Sequence, residues 1–237
     1  MKEHGKRYTA AVKELDQAKA YSTAEAVALA KKAATAKFDE TVELHLRMGL
    51  DPRNSAQQVR GVALLPFGLG KPVRVLVFAQ GEAARTAEQA KADYVGADDL
   101  VKKVEEGWTD FDIAIATPDM MAKVGKLGKV LGRKGLMPNP KSGTVVPASD
   151  LPRVLQDARK GRVEFKMDRT SIIHVICGKA SFEPEKLAGN VSAIIEAIVK
   201  AKPSGAKGQY IRSAFVTTTM GPGIKLDLRT ALESTAS

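Results

Sequence analysis

The sequence predicts an α/β protein of two domains, one assembled from both ends of the chain and a second inserted into it. Three observations carry this. Segments with strict apolar–polar alternation flank the middle, "TVELHLRMGL" (41–50) and "GRVEFKMDR" (161–169). Between them the pattern changes to unbroken apolar runs, "VRVLVFA" (73–79) and "FDIAIAT" (111–117), separated by helical segments. The first change coincides with a Gly/Pro-rich joint, "PFGLGKP" (66–72). Alternation marks a strand with one face in a core, whereas an unbroken apolar run marks a strand covered on both faces of a parallel sheet. The boundaries fall at 1–68 with 160–237 for the terminal domain and 69–159 for the inserted one. Two chain crossings at the joint permit hinge motion.

Each element follows from its residues. Residues 8–36 read as two helices, with Lys13, Leu15 and Ala18 in the first. The second begins at Ser22, with Glu25 at capping-box spacing and the helix-forming filling "AEAVALAKKAATA". In 41–50, Val42, Leu44, Leu46, Met48 and Leu50 alternate with Thr41, Glu43, His45, Arg47 and Gly49. "DPRNSAQQVRG" reads as a turn or short helix, and "VALLPFGLGKP" as a short strand broken at Pro66. In the inserted domain a strand at 73–79 precedes the helix "GEAARTAEQAKA" and the short strand "DYVGA". The helix "DDLVKKVEEG", capped by Asp98 or Asp99, then leads to the strand at 111–117. Such alternation implies a parallel sheet with right-handed crossovers. "SGTVV" and the helix "ASDLPRVLQDARKG" close that domain.

The half-buried pattern then returns, with Val163, Phe165 and Met167 alternating with Arg162, Glu164, Lys166 and Asp168. "TSIIHVICG" is a further strand. "FEPEKLAGNVSAIIEAIVKAKP" is an amphipathic helix with Leu187, Val191, Ile194, Ile195 and Ile198 on one face, ended by Pro203. "YIRSAFVTTTMGPGIKLDL" is a hairpin turning at "MGPG", where Ile224, Leu226 and Leu228 alternate with Lys225, Asp227 and Arg229.

Composition narrows the function. A net charge of +10 and a pI near 9.6 favour a polyanionic partner, because each Lys or Arg that neutralises a phosphate releases a counterion. The single cysteine, Cys177, excludes an intramolecular disulfide and fits a reducing compartment. The first residues lack the apolar core of a signal peptide, and no apolar run approaches the ~18 residues of a membrane span. The expected setting is the cytoplasm, with no membrane and no obligate homo-oligomer.

Catalytic chemistry finds little support. His4, His45 and His174 are far apart in sequence. His174 and Cys177, three apart on a strand, face opposite ways, and Cys177 reads as a small core group. No His/Cys cluster has zinc spacing, and Glu43 with Asp39 or Glu40 lacks an oxyanion site or metal, so the expectation is no enzyme, no metal and no cofactor. A nucleotide-binding α/β enzyme is the alternative reading of the inserted domain, but "FAQGEAAR" has one glycine where the dinucleotide fingerprint has three. A nonspecific DNA-binding protein is a second rival. Base stacking on a sheet is disfavoured as the main mode by an aromatic content of 5%. Recognition of folded RNA through shape and backbone suits the chain better.

The stretch "KVGKLGKVLGRKGLMPNP" (123–140) contains Gly125, Gly128, Gly132 and Gly135 at spacings of 3, 4 and 3. On a helix they would form a stripe suited to close backbone packing, beside Lys126, Lys129 and Arg133. Four glycines limit the helix to a short one. Met120 to Ser149 contains no acid, so a basic patch and a solvated loop both remain open, with packing the first expected role.

Four ordered segments, "KFDETVELHLRMGLDPRNSAQQVRG", "GKLGKVLGRKGLMPNPKSGTV", "GRVEFKMDRT" and "TTTMGPGIKLD", resemble the bacterial large-subunit ribosomal protein L-one family over essentially the whole chain. "GRKG" (132–135) departs from the glycine–proline–arginine–glycine of many members and adds a cation.

The resemblance implies a split β-α-β two-layer domain from both termini and an inserted three-layer, Rossmann-like α/β domain. It implies a structural, non-catalytic protein that binds large-subunit ribosomal RNA at the mobile stalk beside the tRNA exit site. It also implies help in releasing deacylated exit-site tRNA and repression of its own mRNA. The implied RNA residues are Lys37, Phe38, Thr41, Glu43, His45, Arg162, Glu164, Lys166, Asp168, Arg169, Thr170, Thr219, Met220 and Gly221. Glu43 is expected to accept from a ribose 2′-OH or base amino group. Thr219 and Met220 would pack on sugars, and Phe38 on a base or sugar edge. Ordinary burial habits would instead put Phe38 and Met220 in the core. Arg53, Gln57 and Arg60, expected to share a helix face, and Lys160 are possible tRNA contacts. Lys126, Lys129 and Arg133 are a secondary basic edge.

Overall fold

The computed structural model describes residues 5–16 and 18–233. The chain divides into two compact units, Met1–Gly70 with Gly161–Ser237, and Lys71–Lys160. In chain order the first unit opens with α1 (Lys6–Lys13), α2 (Thr23–Ala33), β1 (Thr41–Met48) and β2 (Arg60–Leu64). The inserted unit supplies β3 (Val75–Phe78), α3 (Gly81–Gln89), β4 (Tyr94–Gly96), α4 (Asp98–Glu105), β5 (Ile113–Ala116), α5 (Met121–Val124), α6 (Gly128–Lys134) and α7 (Leu151–Arg159). The chain returns to the first unit with β6 (Arg162–Lys166), β7 (Ile172–Lys179), α8 (Pro184–Lys200), β8 (Ile211–Thr218), β9 (Ile224–Lys225) and α9 (Leu228–Glu233).

The terminal unit is a two-layer α/β sandwich. Its main sheet runs β7-β1-β8-β9, antiparallel throughout. Alternation fixes which face is covered: Val42, Leu44, Leu46 and Met48 of β1 are buried among Leu187, Val191, Ile194 and Ile198 of α8 and Ala26 and Val27 of α2. A one-residue slip would turn this whole row outward, so the buried face specifies the register. The start of α2 is set by the expected capping box: Ser22 Oγ accepts the Glu25 N–H at 3.3 Å, and Glu25 accepts the Ser22 N–H at 3.1 Å. β2 and β6 form a separate two-stranded antiparallel sheet. Buried Asn190 ties the chain crossing down, donating to the carbonyls of Gly68 and Cys177 at 3.0 and 2.7 Å and accepting the Phe67 N–H at 3.2 Å.

The inserted unit has three layers. Its parallel sheet runs β4-β3-β5. One face packs Val75, Val77 and Ile115 against Leu151, Val154 and Leu155 of α7. The other packs Leu76 and Phe78 against Leu100 and Val104 of α4, Val124 of α5 and Leu131 of α6. Every residue of β3 is buried, as its unbroken apolar run requires.

Several local expectations need correction. The first helix ends at Lys13, leaving Leu15 and Ala18 outside it, because the Asp16 side chain takes the Ala18 N–H in a local turn. Asp98 and Asp99 lie in the first turn of α4 rather than at its cap, which is Ala97, and Asp99 reaches back to the Ala97 N–H. Leu228 opens α9 instead of continuing the hairpin. The four glycines of 125–135 are not used for close packing: an added side-chain carbon would meet nothing within 4 Å at any of them. The packed side of this segment is Val124, Leu127 and Leu131. His4, named in the sequence reading, lies outside the described residues.

Candidate nucleic-acid interface

The face of β1 opposite the core carries Thr41, Glu43, His45 and Arg47, each at least partly exposed. The strands beside it extend this face. On β7 the register sets Ile176 against Glu43, His174 against His45 and Ile172 against Arg47. On β8 it sets Thr217, Phe215 and Ser213 against the same three positions. Ile176 and Phe215 on this surface stand 44% and 36% exposed, and Phe215 borders a cavity also lined by Tyr8 of α1.

One end of the face is built by three segments. Phe38 is 55% exposed and Met220, at the tip beyond β8, is 62% exposed. Both therefore sit outside the core that ordinary burial habits assign them. Glu40, buried to 1% exposure, ties the backbone at Ala36, two residues before Phe38, to that at Met220. Its carboxylate accepts the N–H of Ala36 at 2.9 Å and of Met220 at 3.0 Å, while its carbonyl accepts the Ala180 N–H at 2.8 Å. Burial pushes this carboxyl up, but the N–H groups of Met220 and Ala36 and the nearby Thr218 hydroxyl outweigh it and hold it below its ordinary value. Thr218 Oγ1 itself is buried without a partner at hydrogen-bond geometry among the described residues. Thr41 and Thr219 add a clamp, the Thr41 N–H donating to Thr219 Oγ1 at 2.9 Å and the Thr219 N–H to the Thr41 carbonyl at 3.1 Å. A side-chain carbon on Gly221 would lie 2.4 Å from Thr218 Oγ1, so this turn requires a glycine.

The opposite end is the β6–β7 turn. Asp168 accepts the N–H groups of Thr170 and Ile172, each at 2.8 Å, and the Thr170 hydroxyl at 2.6 Å. Burial raises the Asp168 carboxyl, and these hydrogen bonds more than offset it, so the group stays charged well into acid. Arg169 and Thr170 are exposed at the turn. Arg162, Glu164 and Lys166 lie on β6 and hence on the two-stranded sheet, away from the β1 ladder. Glu164 is ion-paired with Arg60 of β2.

The possible tRNA group is not brought together as expected. Arg53, Gln57 and Arg60 share no helix face: the helical turn is only Ser55–Gln57, and Arg60 starts a strand. Gln57 is occupied in a fold contact, accepting the Asp51 N–H at 2.8 Å and donating to the Gly205 carbonyl at 3.3 Å. Lys160 follows α7 and is exposed. Lys126, Lys129 and Arg133 are exposed on the inserted unit.

Two groups in this region are absent from the residues expected to form the site. His174 pairs with His45 across β1 and β7, and the period of two is the signal that could have found it. Glu40 carried no local signal, because its partner Met220 is 180 positions away. Cys177 is fully buried, and burial raises its thiol, so it offers no thiolate nucleophile. Among the described residues no group of three or more His, Cys, Asp or Glu is placed to share a metal ion.

Comparison with known proteins places the chain in a wider group. The model of the ribosomal protein L1p/L10e family matches residues 30–222. A large ribosomal subunit protein uL1 of Dehalococcoides mccartyi is 66% identical over 226 residues, 95% of each chain. Those of Chloroflexus aurantiacus and Chloroflexus aggregans are 55% and 56% identical, over 96% of this chain and 96% and 97% of their own.

Proposed function

The chain belongs to the ribosomal protein L1p/L10e family, and from that membership we propose that this structural protein of the large ribosomal subunit, which is not an enzyme, binds folded large-subunit ribosomal RNA on the β1 face. The observation that carries the reading is the exposure of two large apolar groups, Phe38 and Met220, in the segments that flank β1 and β8, with the Met220 backbone held by buried Glu40. Large apolar groups displayed beside hydrogen-bonding groups mark a surface made for a partner. The net charge of +10 makes a polyanion the natural one.

Lys37 and Arg169 at the ends of the β1 face, with Arg162 and Lys166 on the separate β2–β6 sheet, supply salt-dependent attraction to phosphate. Glu43 and Asp168 add selection, since a carboxylate that repels phosphate gains only where a ribose hydroxyl or base amino group reaches it. His45, Thr41 and Thr170 offer hydrogen bonds, and Thr219, Met220 and Gly221 bring a close-fitting tip against the sugars. Glu164 acts chiefly by holding Arg60.

The RNA is the mobile stalk beside the tRNA exit site, where the protein works in the cytoplasm and assists release of deacylated tRNA. Arg53 and Lys160 are the tRNA contacts best supported by exposure. Binding of its own mRNA, and so repression of its own synthesis, uses the same face wherever the message copies the ribosomal site. Lys126, Lys129 and Arg133 form a secondary, electrostatic RNA contact.

Met220→Asp tests the placement. It puts a charge on an exposed tip without disturbing the core, so the protein should melt as before and bind large-subunit RNA about five- to 150-fold more weakly at fixed salt, about 1–3 kcal/mol. A change within about threefold would put the RNA surface elsewhere.

A further inference from the structure

His45 and His174 face each other across β1 and β7 with Nδ1 atoms 2.7 Å apart and ring centroids 4.9 Å apart. A carboxylate stands at each outer nitrogen: Glu43 lies 3.7 Å from His45 Nε2, and Asp168 lies 3.6 Å from His174 Nε2. The four groups form a line across the proposed RNA face, carboxylate–imidazole–imidazole–carboxylate.

The inner contact limits protonation. At 2.7 Å one Nδ1 must donate and the other accept, so two imidazolium rings cannot both occupy this geometry. In the neutral pair one ring carries its hydrogen on Nδ1, and its bare Nε2 then faces a carboxylate. One added proton removes that repulsion, because both outer nitrogens become N–H donors while the inner hydrogen bond remains. Neither carboxylate closes to hydrogen-bond distance, so these donors remain available to an incoming oxygen.

Other charges set how readily the proton enters. Glu43 on β1 and Asp168 in the β6–β7 turn favour it. Arg47 on β1, Lys179 on β7, Arg212 near β8's irregular start, Lys225 on β9 opposite Phe215 and Arg169 in the turn oppose it. Burial first, and the neighbouring His174 second, lower the His45 pKa, while Glu43 raises it. His45 therefore holds a proton less readily than a free imidazole, and an approaching phosphate favours its uptake.

We propose that His45 and His174 form one phosphodiester contact of the RNA interface that works with a single proton between the rings, so that RNA binding takes up a proton from solution. His174 thereby joins the interface, and the proton offsets one of the two carboxylates that would otherwise repel the backbone. This rests on the placement of RNA on the β1 face.

Calorimetry of the full chain with protein-free large-subunit ribosomal RNA, at fixed salt and pH 6.5 in buffers of different ionisation enthalpy, counts the protons. Uptake of about half a proton or more is expected, with affinity falling up to about tenfold per pH unit as pH rises from 6 to 8. His174→Gln keeps a polar side chain at this exposed position; it should weaken binding at pH 6 several-fold and flatten the pH profile. Uptake absent from the wild type, or unchanged in H174Q, overturns the proposal. M220D separates the two ideas. If M220D loses affinity while wild type takes up no proton, proton sharing alone fails. If M220D binds normally, the β1-face placement fails and takes the proposal with it.

Discussion

A buried carboxylate decides how well one end of the proposed RNA face is formed. Glu40 joins the segment before β1 to the tip after β8 through two N–H groups, and its folded pKa lies below the ordinary 4.5. The sign follows: its stabilisation is fully present above pH 4.5 and is lost as pH falls through the lower folded value. Glu40→Gln presents an amide N–H to one of these donors and should cost about 1–3 kcal/mol. Urea unfolding between pH 3 and 7 should show a weaker, flatter pH dependence in the variant, and RNA affinity should fall with it. Unchanged stability and affinity would mean that the tip holds itself. At this scale the sequence revealed the residues that obey a period. Glu43, His45 and Arg47 were legible because alternation assigns a face. Glu40 was not, since an acid before a strand says nothing about a partner 180 positions on.

Helix and strand identities were mostly legible, but the role of the glycine-rich segment was not. Spacing placed Gly125, Gly128, Gly132 and Gly135 on one line, and small residues on a line commonly mean close packing. The line instead faces open space, while Val124, Leu127 and Leu131 pack. Spacing defines a stripe without saying which side of the helix meets the sheet. Gly128 and Gly132 lie within α6 in ordinary helical conformation, so alanine at each should raise stability by about 0.5–1 kcal/mol through reduced unfolded-state entropy. Gly135 differs: its φ of 71° ends the helix left-handed, and alanine there should destabilise. Urea midpoints for the single variants check both signs. A loss at 128 or 132 would indicate a contact that needs the bare backbone. Arg53, Gln57 and Arg60 failed for a related reason, because a strand begins where the helical spacing was assumed to continue.

At the scale of the whole chain, the two styles of strand were enough to show an insertion, since burial on one face and burial on two leave different patterns. The closeness of its two ends was not legible. A side-chain carbon on Gly161 would lie 2.5 Å from Gly68 Cα, the Leu65 N–H donates to the Gly161 carbonyl at 3.1 Å, and Gly68 and Gly161 both have positive φ. The gap left by removing 71–160 is therefore small. A chain joining 1–70 to 161–237 through a short Gly/Ser linker should melt in one cooperative step and bind large-subunit RNA within about tenfold of the full protein. Failure to melt cooperatively would show that the terminal unit depends on the insertion.

The position of β1 also has a consequence in time. It sits between β7 and β8, so an early strand has both its neighbours in the last third of the chain, and the contacts that complete its surface span 129 to 178 positions. On a translating ribosome the inserted unit, whose sheet closes within Lys71–Lys160, has all its parts while β1 still waits. A nascent chain stopped before Ile211 lacks β8 and the tip that meets Glu40. The proposed RNA face is therefore completed late and abruptly, and on that proposal a truncated product is a poor competitor for the RNA.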